Sequence, residues 1–176
     1  MNPELKLITE IQEYTAFMRH SNKIEGELEP KGHGEGRLNP GDQDAVRMIL
    51  GASHITKRLI LDIHRVLGDY LQKPWVGRFR DCAVCVGSYE APEHDRVDIL
   101  MTEYLKKYSK MDSWTAYNEF ELIHPFEDLN GRMGRLLWLR KALKEDYSYQ
   151  RTFLEHYHYQ TLRHYGEKAV DKSVAG

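Results

Sequence analysis

His124-Pro125-Phe126-Glu127-Asp128-Leu129-Asn130-Gly131-Arg132-Met133-Gly134-Arg135 lies between two helical patterns, and its reading organises the chain. Asn130 and Gly131 stand where the chain enters the second helix, and N–H groups at a helix N-terminus favour anions. Gly131 has no Cβ, so a phosphate can come close to the backbone. Arg132 and Arg135 are three apart on the opening turns, which puts both guanidinium groups on one side. Two forked donors there suit a polyphosphate. Asp128 offers the hard oxygen ligands that magnesium takes beside substrate phosphates. His124 can take a proton from an attacking hydroxyl near neutral pH, while Pro125 stiffens the turn and Phe126 can anchor it in the core. Singly, each has an ordinary reading: a core or capping histidine, solvated helix arginines, a turn aspartate. Together they supply a base, a metal ligand, an anion cradle and two charge clamps, the parts of phosphoryl-type transfer.

Outward from this segment the chain reads as helices. Asn2 can cap a first helix, with Pro3 in its opening turn and Leu7, Ile11, Tyr14 and Met18 at helical spacing. It should end near Gly26, before a loop to Gly41 that holds five glycines and two prolines. Asp42 or Asp44 can cap a helix with Val46, Ile49, Leu50 and Ser53. A further helix carries Ile55, Leu59, Ile63, Val66 and Leu67, and Pro74 and Gly77 break the pattern. Arg80 to Pro92 alone reads as extended, short enough for a hairpin or flap. Arg96 to Tyr108 is helical through Val97, Leu100, Met101, Tyr104 and Leu105. Asp112 can cap the helix that leads to Ile123. The helix opening near Asn130 carries Leu136, Leu139 and Leu143. A last helix from about Gln150 to Tyr165 precedes a polar tail, 167–176, expected to fray. The expected architecture is one domain over 1–176, mostly α with one small β element, its core spanning 42–166.

At 176 residues the chain can bury a real core, and its 41% hydrophobic and 30% charged composition places it with soluble globular domains. A net charge of −2 gives no basic footprint, so nucleic acid is not an expected partner. No apolar run reaches the roughly 20 residues needed to cross a bilayer, and no signal-peptide pattern opens the chain, so the expected compartment is the cytoplasm. Cys82 and Cys85, the two cysteines, sit three apart in an extended stretch. Their sulfurs should diverge, which reads as two ordinary thiols in a reducing compartment. On a last helix, His156 and His158 would point apart by roughly 200°, so these and His164 read as solvated. Tyr147, Tyr149, Tyr157, Tyr159 and Tyr165 read as packing residues.

The quoted segment resembles the Fic-domain signature H-P-F-x-D/E-G-N-G-R-x-x-R and matches every defined position but the sixth. Gly77-Arg78-Phe79-Arg80 with Val84-Cys85-Val86-Gly87 looks like that family's strand entering its flap. Leu61-Asp62-Ile63-His64 resembles its core helix, which makes His64 structural. The likeness covers roughly residues 20 to 145. It implies a helical bundle with a β-hairpin flap beside the active site. It also implies transfer of AMP from ATP, with Mg²⁺, to a Ser, Thr or Tyr hydroxyl of a target protein held by the flap through strand pairing. In this resemblance His124 is the general base and Asp128 the magnesium ligand. Asn130, Gly131 and Arg132 surround the phosphates, and Arg135 engages the γ-phosphate. Family kinases carry lysine at the position of Gly131, so its glycine favours nucleotide transfer.

Two departures matter. Leu129 replaces the family's glycine: its side chain can crowd the phosphate loop, or the loop can keep a negative φ there with the leucine packed inward, the expected outcome. Ser21-Asn22-Lys23-Ile24-Glu25-Gly26 resembles the family's inhibitory motif S/T-x-x-x-E-G/N. Ser21 and Glu25, four apart, share one helix face, from which a carboxylate could pair with Arg135 and block the productive pose of ATP. Some relatives use this glutamate to remove AMP. The alternatives are transfer of another group, UMP or phosphocholine, or a catalytically weak nucleotide-binding module because of Leu129. A homo-oligomer is compatible with the sequence, as is self-modification at a tyrosine.

Overall fold

The computed structural model describes residues 15–22, 38–86 and 89–144. Residues 15–22 are helical and form α1. There follow α2 (Asp42–Gly51), α3 (Lys57–Gly68), a 3₁₀ turn at Asp69–Leu71, β1 (Cys85–Val86), β2 (Tyr89–Glu90), a 3₁₀ turn at His94–Arg96, α4 (Val97–Tyr108), α5 (Ser113–Ile123) and α6 (Asn130–Ala142). Among the described residues the fold is mostly helical, with one small antiparallel hairpin in which Cys85 faces Glu90 and Val86 faces Tyr89. No described helix is long and apolar enough to cross a membrane. Glu25, the loop after it, the helix expected from Gln150, its histidines and tyrosines, and the tail lie outside the described residues.

α6 is the axis on which the other helices pack. Its expected stripe was Leu136, Leu139 and Leu143, but the burial goes all round: Met133, Leu136, Leu137, Trp138 and Leu139 are all buried, and Leu143 lies past the helix, exposed. α5 packs along one side of α6, and α2 and α3 also contact it. Trp138 stacks on Phe17 of α1, with ring centroids 6.3 Å apart, and meets Trp114 of α5 at 5.1 Å. A helix surrounded in this way has no polar face to show, so periodicity alone underestimates its core. Its three buried arginines each need acceptors, because a cation taken out of water is costly unless hydrogen-bonded. Arg140 meets that need at the end of α2, donating to the carbonyls of Ile49, Ala52 and Ser53. That cation also suits the negative end of the helix dipole.

The caps differ in part from expectation. Asp112 caps α5, accepting the Thr115 N–H at 2.9 Å. Neither Asp42 nor Asp44 caps α2, whose N-cap is Gly41. Asp42 is buried, and its carboxylate accepts from the Asn39 N–H at 3.0 Å and the Asn22 amide at 2.7 Å. It ties α1 to α2 instead. Burial pushes its pKa up, opposed by those two hydrogen bonds and by the charge of Arg132. Thr56, not singled out by the pattern, caps α3 through Leu59 N–H at 3.1 Å. Among the described residues, the extended region is shorter than its sequence suggests, with 85–86 and 89–90 paired as strands. Cys82 and Cys85 are free and exposed.

His64 of α3 is structural, as expected, and joins three elements. Its ring lies flat against Phe126, centroids 3.7 Å apart and 3° from parallel. Nδ1 accepts the Gly77 N–H at 2.9 Å, so in the neutral ring Nε2 carries the proton and donates to the Asp128 carbonyl at 3.2 Å. Gly77 has φ +79°, which glycine adopts at no steric cost. Burial lowers the His64 pKa from 6.5 to about 4. The unfolded chain binds this proton below pH 6.5 and the folded chain does not, so stability falls as pH drops from about 6.5 toward 4. Between pH 7.5 and 5 this one group should remove about 2 kcal/mol. Urea midpoints of the parent protein and His64→Asn across that range check it: the variant should lack this part of the slope.

Candidate active site

The site is built on the loop between α5 and α6. His124 ends α5 in a left-handed conformation, φ 47° and ψ 61°, with its N–H returned to the Phe120 carbonyl at 3.0 Å. Its side chain is 16% exposed, so the ring is not turned wholly into the core. Nδ1 faces the Glu121 carbonyl at 3.3 Å and the Glu121 carboxylate at 3.9 Å. Both are acceptors, so the neutral ring carries its proton on Nδ1 and leaves Nε2 as the basic nitrogen. Glu121, which the pattern hid within an ordinary helix, is 6% exposed and three residues before the histidine. Gly134 makes room for it: a Cβ there would stand 2.3 Å from the Glu121 Oε1.

Beyond His124 the loop is fixed by side-chain bonds to its backbone. Asn130 spends both ends of its amide on Phe126, accepting that residue's N–H at 2.9 Å and donating to its carbonyl at 2.8 Å. The Asn130 side chain is thus a buried brace, leaving its backbone to serve the helix terminus. Asp128 is exposed, its Oδ1 accepting the Leu129 N–H at 2.6 Å and its carbonyl bonded to His64. An exposed carboxylate held at the mouth of a helix fits a magnesium ion that draws its other ligands from phosphate and water. Among the described residues, the metal-ligating side chains that gather are instead Asp81, Cys82 and Glu127, at the surface and without Asp128.

Leu129 corrects one expectation. The loop does not keep a negative φ here: Leu129 has φ 67° and ψ 9° and is the N-cap of α6. The inward packing does occur, since Leu129 is 3% exposed and its Cδ1 lies against Gly68, 2.9 Å from where a Cβ would be. The side chain therefore packs toward α3 and does not crowd the exposed face of the loop. As N-cap it provides no side-chain hydrogen bond to the first turn of α6, where Gly131 lies buried.

The two arginines lead toward the N-terminal part of the chain. Arg132, 1% exposed, donates from Nη1 to the Tyr70 hydroxyl at 2.9 Å and acts electrostatically on Asp42. Arg135, fully buried, donates from Nε to the Ser21 hydroxyl at 2.7 Å and from Nη2 to the Ser21 carbonyl at 3.1 Å. The end of α1 thus meets Arg135 directly through Ser21, while Asn22 holds Asp42, which feels the charge of Arg132. Of the predicted site residues, Ser21, His124, Asp128, Asn130, Gly131, Arg132 and Arg135 are described.

The Fic/DOC family model matches residues 54–140. Similar solved structures include a Fic domain containing signaling protein from Bacteroides thetaiotaomicron, with TM-score 0.70 and 19% identity, covering 92% of this chain and 75% of that one. A Fic family protein from Desulfovibrio desulfuricans aligns with TM-score 0.61 and 23% identity over 92% of this chain and 57% of that one. Fic-1 from C. elegans aligns with TM-score 0.65 and 16% identity over 99% and 66%. The chain thus spans less than two thirds of the length of the last two. At these identities the likeness concerns the fold.

Leu129→Gly separates backbone strain from packing. Removing a side chain from a left-handed position relieves about 1–2 kcal/mol, whereas losing a buried leucine costs about 2–5 kcal/mol. The variant should be less stable by about 1–3 kcal/mol in urea melts; a gain in stability would mean that strain dominates.

Proposed function

Because this chain belongs to the Fic/DOC family, we propose that it is an autoinhibited protein adenylyltransferase, moving AMP from ATP to a Ser, Thr or Tyr hydroxyl of a target protein. The observation that carries this reading is the single braced loop bearing an imidazole with Nδ1 turned to acceptors, an exposed carboxylate and the first turn of α6. In the proposed reaction Nε2 of His124 takes the proton of the target hydroxyl. The freed oxygen bonds to the α-phosphorus, the bond from that phosphorus to the bridging oxygen breaks, and pyrophosphate leaves with the electron pair. Backbone N–H groups of the first turn of α6 and the Arg132 guanidinium bind the phosphates. Mg²⁺ on Asp128, when bound, would supply positive charge to the departing phosphates.

The target would add as a strand to the hairpin. A two-stranded ladder leaves an outer edge on each strand, and such edges pair with extended segments. Inhibition acts through α1. Ser21 occupies Arg135, and Glu25, four residues on, is the group proposed to complete the block. Arg135 can then no longer receive the γ-phosphate, and ATP is held away from the productive pose. The inward packing of Leu129 supports an active enzyme over a weakened binding module.

Incorporation of label from α-phosphate-labelled ATP tests this. Glu25→Gly should raise transfer well above the parent protein, and Glu25→Gly/His124→Ala should abolish the gain, by about 10²–10⁴-fold. Equal label in those two variants contradicts the mechanism. Ser21→Ala removes one hydrogen bond to a cation, worth about 1.5–3 kcal/mol, and should raise transfer roughly tenfold or more over the parent. Competition among the four nucleotides decides between AMP and UMP.

A further inference from the structure

Arg80 is 3% exposed, and its guanidinium hydrogen bonds run to backbone carbonyls. Nε donates to the His124 carbonyl at 2.8 Å and Nη1 to the Cys82 carbonyl at 2.8 Å. Nη2 donates to the Pro92 carbonyl and, more weakly, to that of Ile123 at 3.5 Å. The Arg80 backbone N–H adds a bond to Pro125 at 3.0 Å. Cys82 and Pro92 flank the two strands of the hairpin, and Ile123 to Pro125 is the turn that presents the base. One guanidinium therefore spans both.

The same contacts complete the end of α5. The last four carbonyls of a helix have no partner within it. Here Phe120 accepts from the His124 N–H, Glu121 from His124 Nδ1, Leu122 from the Tyr89 hydroxyl at 3.0 Å, and Ile123 from Arg80. The hairpin region supplies two of these four partners, so it doubles as the C-terminal cap of the helix that ends in His124. A cation at this end also suits the helix dipole. Lysine, with one ammonium on a flexible stem, cannot reproduce a fork that reaches four carbonyls.

We propose that Arg80 is a positioning residue: it fixes the hairpin, and with it a target segment paired to that hairpin, at a set distance from the His124 base. The inference rests on the reading of His124 as the base and of the hairpin as the target's dock. A misplacement of about 1 Å between reacting groups can cost roughly 100-fold in rate. The Arg80 hydrogen bonds run to the hairpin and to the Ile123–Pro125 turn, away from the groups proposed to hold the phosphates, so its loss should leave nucleotide affinity alone.

The test is Arg80→Lys in the Glu25→Gly background, read by transfer kinetics and by amide exchange. The clamp predicts that kcat falls at least about tenfold while KM for ATP stays within about twofold. It also predicts that the Ala91 and His124 amides exchange faster by the same factor, with the Ile60 amide unchanged. Faster exchange at only one of the two, or at neither, overturns the proposal, as does an unchanged kcat. If Arg80→Lys does not fold, the unsubstituted protein decides: the Arg80, Ala91 and His124 amides should share one sub-global opening, with one dependence on denaturant, and separate openings overturn it. If exchange is coupled and no variant transfers label, the clamp stands as a structural link and the transferase reading fails.

Discussion

Two left-handed residues, His124 and Leu129, bracket the loop between α5 and α6, and the surrounding residues hold the backbone between them in place. Such conformations cost free energy for any residue with a Cβ and persist where the surroundings over-determine them. Here the surroundings are specific. Asn130 closes a two-bond ring on Phe126, His64 lies under the Phe126 ring while holding the Asp128 carbonyl, and Arg80 fastens Ile123, His124 and Pro125. Leu129 adds a buried side chain to the same support. The result is a short segment whose exposed groups, the imidazole edge and the Asp128 carboxylate, project from a backbone with little freedom to move. Preorganisation of this kind is what charge-stabilising catalysis needs, because nothing must be reoriented as the reaction proceeds.

The second consequence concerns control. Arg132 and Arg135 lie inside α6, on the helix that forms the core, so their guanidinium groups cannot simply swing to solvent. Each is met by the N-terminal part of the chain, Arg135 directly by Ser21 and Arg132 electrostatically by Asp42, which also holds Asn22. In the proposed function, binding a triphosphate at Arg135 and keeping α1 in its present place would draw on the same donors. There this competition is the switch. Its size is bounded by ordinary magnitudes: reversing a 99:1 preference takes about 5.5 kcal/mol, within reach of a few hydrogen bonds to buried cations.

Most of the helical order was legible because capping and periodicity agree: Asp112 starts α5 and Asn130 opens α6, while the third helix ends at Gly68, ahead of the breaks expected at Pro74 and Gly77. The dodecapeptide from His124 to Arg135 exposed the candidate site for a similar reason, since so many chemically suited side chains rarely crowd together without a purpose. Other features left a fainter trace. α6 is buried on every side, and a stripe analysis recovers only one of its faces. Asp42 looked like a cap and is a buried tie, because its partner Asn22 is remote in sequence. The positive φ of Leu129 depends on support from Gly68 and the core, which no local pattern reveals. Arg80 escaped notice because its partners are backbone carbonyls, which carry no residue signature. Glu121 hid within an amphipathic helix; the one hint was Gly134, whose missing side chain leaves space for it.

The central claim, that the loop and the first turn of α6 form a triphosphate site in line with His124, is tested most directly by a crystal structure of the Glu25→Gly/His124→Ala protein with ATP and magnesium. The account predicts phosphates over the first turn of α6, with Arg132 turned from Tyr70 to a phosphate. It also predicts Arg135 released from Ser21, the metal on Asp128, and the α-phosphorus facing the hairpin beside position 124. A nucleotide bound elsewhere, or Arg132 and Arg135 still on Tyr70 and Ser21 with ATP in place, would contradict it.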